Sequence, residues 1–138
     1  MNRTLYILLL LSFSFSQKVI AVADILTDDL NDKQKKQLFN ALESGLLDLG
    51  QYEVTSRQDV DKILEEQKFQ YSGCVDLKCA VEIGKMIGAK YMVVGSISKL
   101  GDVYSVDSRM ISVETGESYI SAQYTLDGGI KTLLIDGM

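Results

Sequence analysis

An apolar run from Leu5 to Phe15, preceded by Arg3 and ending in the small-residue pattern Ser14-Phe15-Ser16, decides how much of this chain is left to fold. At about eleven residues the run is too short for the roughly 20 that a bilayer-crossing helix needs, so it reads as a secretory signal cleaved after Ser16. No cysteine lies near that point, and no lipid anchor is expected. Taking residues 1–16 from the 138 leaves 122, which is read as one domain over 17–138 with enough chain for an independent core and no room for a second. The expected location is the periplasm or the neighbourhood of the outer membrane, with no transmembrane span after cleavage.

Charge and composition remove several classes of function. Only Arg3 leaves with the signal, so 13 basic residues face 19 acidic ones and the remaining chain carries a formal charge of −6. Such a chain repels a nucleic-acid backbone, and nucleic acid is not expected as a partner. Lys33, Lys35 and Lys36 follow Asp28, Asp29 and Asp32 and read as the solvated start of a helix. Histidine, tryptophan and proline are absent. Without histidine there is no Ser-His-Asp or Cys-His machinery, and two cysteines cannot complete a four-ligand zinc site. Neither a metal nor a cofactor is expected.

Hydrophobic periodicity gives the order of elements. Lys18 to Ala23 (KVIAVA) is a β-branched apolar run, expected to be a buried strand. From Asp32 as N-cap, Leu38, Leu42, Leu46 and Leu49 recur at helical spacing until Gly50. Tyr52 to Thr55 alternates as a strand, and Ser56 caps a helix with Val60, Ile63 and Leu64 on its apolar stripe. After a polar loop from Lys68 to Val75, Asp76 caps a helix that stops at Gly88. Tyr91–Lys99, Val103–Val113 and Glu117–Leu126 form a meander turning at Gly101-Asp102 and Thr115-Gly116, with Tyr104, Val106 and Met110 on the inner face. Asp127-Gly128-Gly129 opens a final helix, either short or truncated. The order β-α-β-α-α-β-β-β-α predicts an α/β (α+β) sandwich with a mixed, mostly antiparallel sheet and helices packed on one side.

Several phrases taken together resemble a known group of bacterial envelope domains. They are Lys18 to Val22, Tyr52 to Arg57 leading into Ile63 to Gln67, Ser72 to Cys74 with Cys79 to Lys85, Gly88 to Tyr91, Val94 to Ile97, and the turn Val113 to Glu117. Their order and spacing from Lys18 to Leu126 are similar to the CsgG/LpoB/TolB-N-like group. The resemblance implies a non-enzymatic domain in assembly, secretion or activation of envelope machinery. Channel subunits of the CsgG type carry a lipid and extra membrane hairpins. This sequence has no lipid-bearing cysteine and no spare pair of ~10-residue membrane strands, so it is not expected to form a channel alone. Activators of the LpoB type have a flexible tether, whereas here the first strand directly follows the cleavage site.

Cys74 and Cys79 are the most informative pair. Five apart on one helix, their Cα atoms would lie about 8 Å apart, beyond the ~7 Å limit for bridging, so Cys74 is placed in the loop and Cys79 in the first helical turn. A disulfide is expected in an oxidising compartment, stabilising by about 2 kcal/mol at most. A redox pair and free or metal-binding thiols are the alternatives. Asp24, Asp28, Asp29 and Asp32 read as an acidic solvated loop, since they lack an EF-hand pattern. Gly84 and Gly88 read as close helix packing and a C-cap. Ser96 with Lys99, or Glu65 with Glu66, could in principle act in hydrolysis, but neighbours of this kind point apart. Phe69 and Tyr71, beside Cys74, are either an interaction loop or side chains tucked onto the core. The expected function is therefore a non-enzymatic module that binds an envelope protein or itself. The alternative is a binder of small molecules or peptidoglycan fragments, with at most weak hydrolase activity.

Overall fold

The computed structural model describes residues 18–67, 76–129 and 131–132. The signal read at residues 1–16, the loop carrying Phe69, Tyr71 and Cys74, and most of the expected final helix lie outside the described residues. The order is β1 (Lys18–Leu26), α1 (Asp32–Asp48), β2 (Tyr52–Thr55), α2 (Arg57–Glu66), α3 (Leu77–Ile87), β3 (Tyr91–Leu100), β4 (Val103–Ser112) and β5 (Ser118–Asp127). It is an α+β sandwich built on one mixed sheet of strand order β2-β1-β3-β4-β5. Strand β1 is parallel to β2 and β3, whereas β3, β4 and β5 form an antiparallel meander.

Local chemistry sets the helix ends. Asn31, rather than Asp32, is the first N-cap: its side chain accepts the Gln34 amide while the Gln34 side chain accepts the Asn31 amide. Both Asn and Asp can cap, and the returning Gln34 decides between them by completing the capping box. Ser56 and Asp76 cap α2 and α3 by accepting the amides of Asp59 and Cys79. Gly88, at φ 69°, ends α3 in the left-handed conformation that a side chain disfavours.

β1 is buried on both faces, and this governs the layering. Ala21 and Ala23 join one apolar cluster, Val22 and Ile25 the other. A register shift between Val22 and Asp24 turns Ile25 onto the face of Val22 and carries the strand three residues beyond Ala23. Asp24 thus lies in the strand, not in the acidic loop expected for it, and its carboxylate accepts the Ile25 amide.

The helices divide between the two faces, the point on which the architecture is richer than helices on one side. Val60 and Leu64 of α2 and Ala80 and Ile83 of α3 pack with Met92, Val94, Ile111 and Val113. Leu38 of α1, with Phe39, Leu42 and Leu46, packs with Val22, Ile25, Ile97, Tyr104 and Leu126. Chain direction explains the division. The β1-to-β2 crossover moves one way across the sheet and the β2-to-β3 crossover moves back past β1, so right-handed connections deposit their helices on opposite faces.

α3 approaches the sheet at Gly84, where an added Cβ would collide with Val113 Cγ2 and lie 2.9 Å from Met92 Cγ. Gly84→Ala is expected to lower stability by about 1–3 kcal/mol through overpacking, despite alanine's better helix propensity, as read by chemical denaturation.

Candidate functional site

Three rungs of the meander form the floor of a groove on the α1 face. Pairing in β3, β4 and β5 aligns Val93 with Met110 and Ile120, Gly95 with Ser108 and Ala122, and Ile97 with Val106 and Tyr124. The middle rung is small at every position, so the floor dips between two rungs of large apolar side chains. Gly95 cannot carry a Cβ without bringing it to 2.9 Å from the Asp107 carbonyl oxygen. Leu38, Leu42 and Leu46 recur at helical spacing along α1 and form one wall. The volume of the groove is about 310 Å³.

Aromatic rings lie one rung beyond each end of the groove. At one end Tyr91 lies between Tyr52, edge-on at 6.2 Å, and Tyr119, tilted at 5.2 Å. Tyr119 reaches this position at the register shift opposite Met110 and Ile111. At the other end Lys99 Nζ sits 5.3 Å from the centroid of the Tyr104 ring, a cation–π contact. The loop between β1 and α1 is tied nearby, since an Asp29 carboxylate oxygen accepts the Lys99 amide at 2.8 Å. The side along β5 is open, and there Ile120 and Tyr124 are each 50% exposed.

The sequence-derived candidates fall elsewhere. Cys79 lies in the first turn of α3, partly buried against the α2 and α3 cluster. Ser96 and Lys99 lie on opposite faces of β3, and Glu65 and Glu66 are both exposed. Of the expected acidic group, Asp29 serves β3, and no group of three or more potential metal ligands occurs among the described residues. No helix among them is long and apolar enough to cross a membrane. Ile120, Ala122 and Tyr124 were legible only as a strand. Their signal was a nine-residue stretch without a charge, Ser118 to Leu126.

A second concavity, between α1 and the start of α2, is polar. There Arg57 lies 5.4 Å over the Phe39 ring and pairs with Asp61 at 3.1 Å, and Glu43 accepts the Arg57 amide. These contacts link the two helices across the end of β2 and serve the fold.

A family model for the curli production assembly/transport component CsgG matches residues 11–128. The chain belongs to the CsgG family. No curated protein sequence matches it significantly. Solved structures extend the family likeness to the fold. The LpoB C-terminal domain from Salmonella enterica is 19% identical, covers 80% of this chain and 83% of its own, and has a TM-score of 0.65. A lipoprotein from Neisseria meningitidis is 13% identical over 80% of this chain and 81% of its own, with a TM-score of 0.63. TolB from Acinetobacter baumannii is 14% identical over 85% of this chain but 25% of its own, with a TM-score of 0.56.

The groove of this CsgG-family chain should bind apolar probes. A fluorescent apolar dye is expected to bind the folded protein, and Ser108→Leu, which fills the middle rung, to reduce that fluorescence severalfold without lowering the melting temperature. Unchanged dye binding in the variant would place the apolar surface elsewhere.

Proposed function

We propose that this chain is an exported, non-catalytic module of the bacterial cell envelope that acts in assembly, secretion or activation by binding protein. The observation that carries this reading is the groove. It joins α1 to a sheet face that no other described helix covers, it is apolar, and it opens along an edge strand rather than closing into a pocket. Apolar surface left in water at this scale is stabilised when a partner covers it. Membership of the CsgG family supports the envelope setting.

The small-ligand alternative is less well served by the same geometry. A site for a polar molecule such as a peptidoglycan fragment needs several convergent polar groups to orient it. On the three floor rungs only the Ser108 and Tyr124 hydroxyls are polar side-chain groups. Hydrolysis has no better support, because Ser96 and Lys99 lie on opposite faces of β3 and Glu65 and Glu66 are both exposed.

The proposal also takes Cys74 and Cys79 as a disulfide that holds the loop before α3, with Phe69 and Tyr71 displayed beside it. The position of Cys79, directly after the Asp76 cap and packed on the core, suits an anchor point. Alkylation of the intact exported protein should add no mass before reduction and two adducts after it. Two adducts without reductant would remove the disulfide.

The functional test is photo-crosslinking in intact cells from a crosslinker placed at Tyr124. Adducts with protein are expected in the envelope fraction, and Ile120→Lys should abolish them while leaving the melting temperature within a few degrees. Adducts confined to lipid or glycan would defeat the protein-binding reading.

A further inference from the structure

The two edges of the sheet are unequal. β2 is four residues long and carries Glu53, features that discourage pairing with a foreign strand. β5 is ten residues long, carries no charge from Ser118 to Leu126, and only Leu126 in it is buried. Tyr119 is 59% exposed, and no strand among the described residues pairs with the outer side of β5. A strand of this kind is the edge that folded proteins usually blunt with lysine, proline or brevity, and none of these is present.

The direction of its free backbone groups follows from one bond. The Gly128 amide donates to the Asp102 carbonyl, in register with the β4–β5 ladder. With a period of two, the amides of Leu126, Tyr124, Ala122 and Ile120 face β4. Those of Thr125, Gln123 and Ser121 therefore face outward.

This sets which pairings are possible, and one is self-complementary. Two copies of β5 running antiparallel about a dyad at Ala122 bring Ser121 of each opposite Gln123 of the other, the residues whose amides point outward. Ile120 of each copy then faces Tyr124 of the other in the closer, non-hydrogen-bonded position, an aromatic and β-branched pair of the favourable kind. Ala122 meets itself at the axis with no bulk to hold the strands apart. The strip from Ser118 to Leu126 is uncharged, so two chains at −5 meet there with least repulsion, and the acidic Glu117 and Asp127 fall opposite one another only at the two ends of the paired segment. The groove faces of both copies would also run together, so that Ile120 and Tyr124 from each cover the other's exposed flank.

We propose that two copies of this chain associate through antiparallel β5–β5 pairing about Ala122, forming a continuous sheet of twice five strands. The proposal rests on the reading of the chain as a protein-binding module and names its partner as a second copy.

Light scattering across concentration tests it on the purified full chain. A dimer is expected, and Gln123→Pro, which removes an outward amide but no bond to β4, should weaken association by roughly tenfold or more with little change in melting temperature. Ala122→Cys should give a reductant-sensitive covalent dimer, whereas Thr125→Cys, far from its own symmetry mate, should not. A monomer at all concentrations, or an oligomer indifferent to both Gln123→Pro and Ala122→Cys, would overturn the proposal. A monomer that still forms the cellular crosslinks from Tyr124 overturns self-pairing alone and leaves the binding module standing, with a foreign protein as its partner. If the crosslinks are absent as well, both readings fail.

Discussion

Burial of both faces of β1 is the constraint on which the architecture depends. A strand written Val19-Ile20-Ala21-Val22-Ala23 has no polar face to give to water, so it needs a helix layer on each side and a strand along each edge. Parallel pairing with β2 and β3 supplies the edges. The crossovers that this pairing requires supply the helices.

Among the described residues, α1, α2 and α3 cover the centre of the sheet but not its whole width. α2 and α3 cover β1, β3 and the end of β4 on one face, while α1 covers the β1 side of the other. Beyond α1, the rungs through Met110, Ser108 and Val106 continue outward to β5 with no described helix above them. Among the described residues, the groove is thus the remainder when a five-stranded sheet meets one helix on that face. Its depth comes from the Gly95–Ser108–Ala122 rung, and tyrosines that keep large apolar area beside a polar tip follow one rung beyond each end.

Local signals in the chain were legible where the responsible residues are near one another. Ser56, Asp76, Gly88, Gly101-Asp102 and Gly116 each act on backbone within a few positions, and the structure uses each as its chemistry suggests. Asn31 and Asp32 compete for the same local role, and Gln34, also local, settles it. The register shift in β1 and the distribution of helices over two faces depend on which strands become neighbours, and no short window contains that information. The groove was hidden for the same reason. Gly95, Ser108 and Ala122 lie in three separate strands, and only pairing makes them a rung. The resemblance reached the family without reaching this surface.

The position of β1 also sets when the structure can form. Ile20 pairs with Val54 and with Tyr91, so β1 is flanked by strands made 34 and 71 positions later. Closing loops of that length precedes any reward from the central contacts, which makes assembly slow relative to a helical bundle of the same size. A nascent chain that has reached α2 still lacks β3 and presents the most apolar strand of the protein with one side bare. The central contacts of β1 therefore form only once β3 exists.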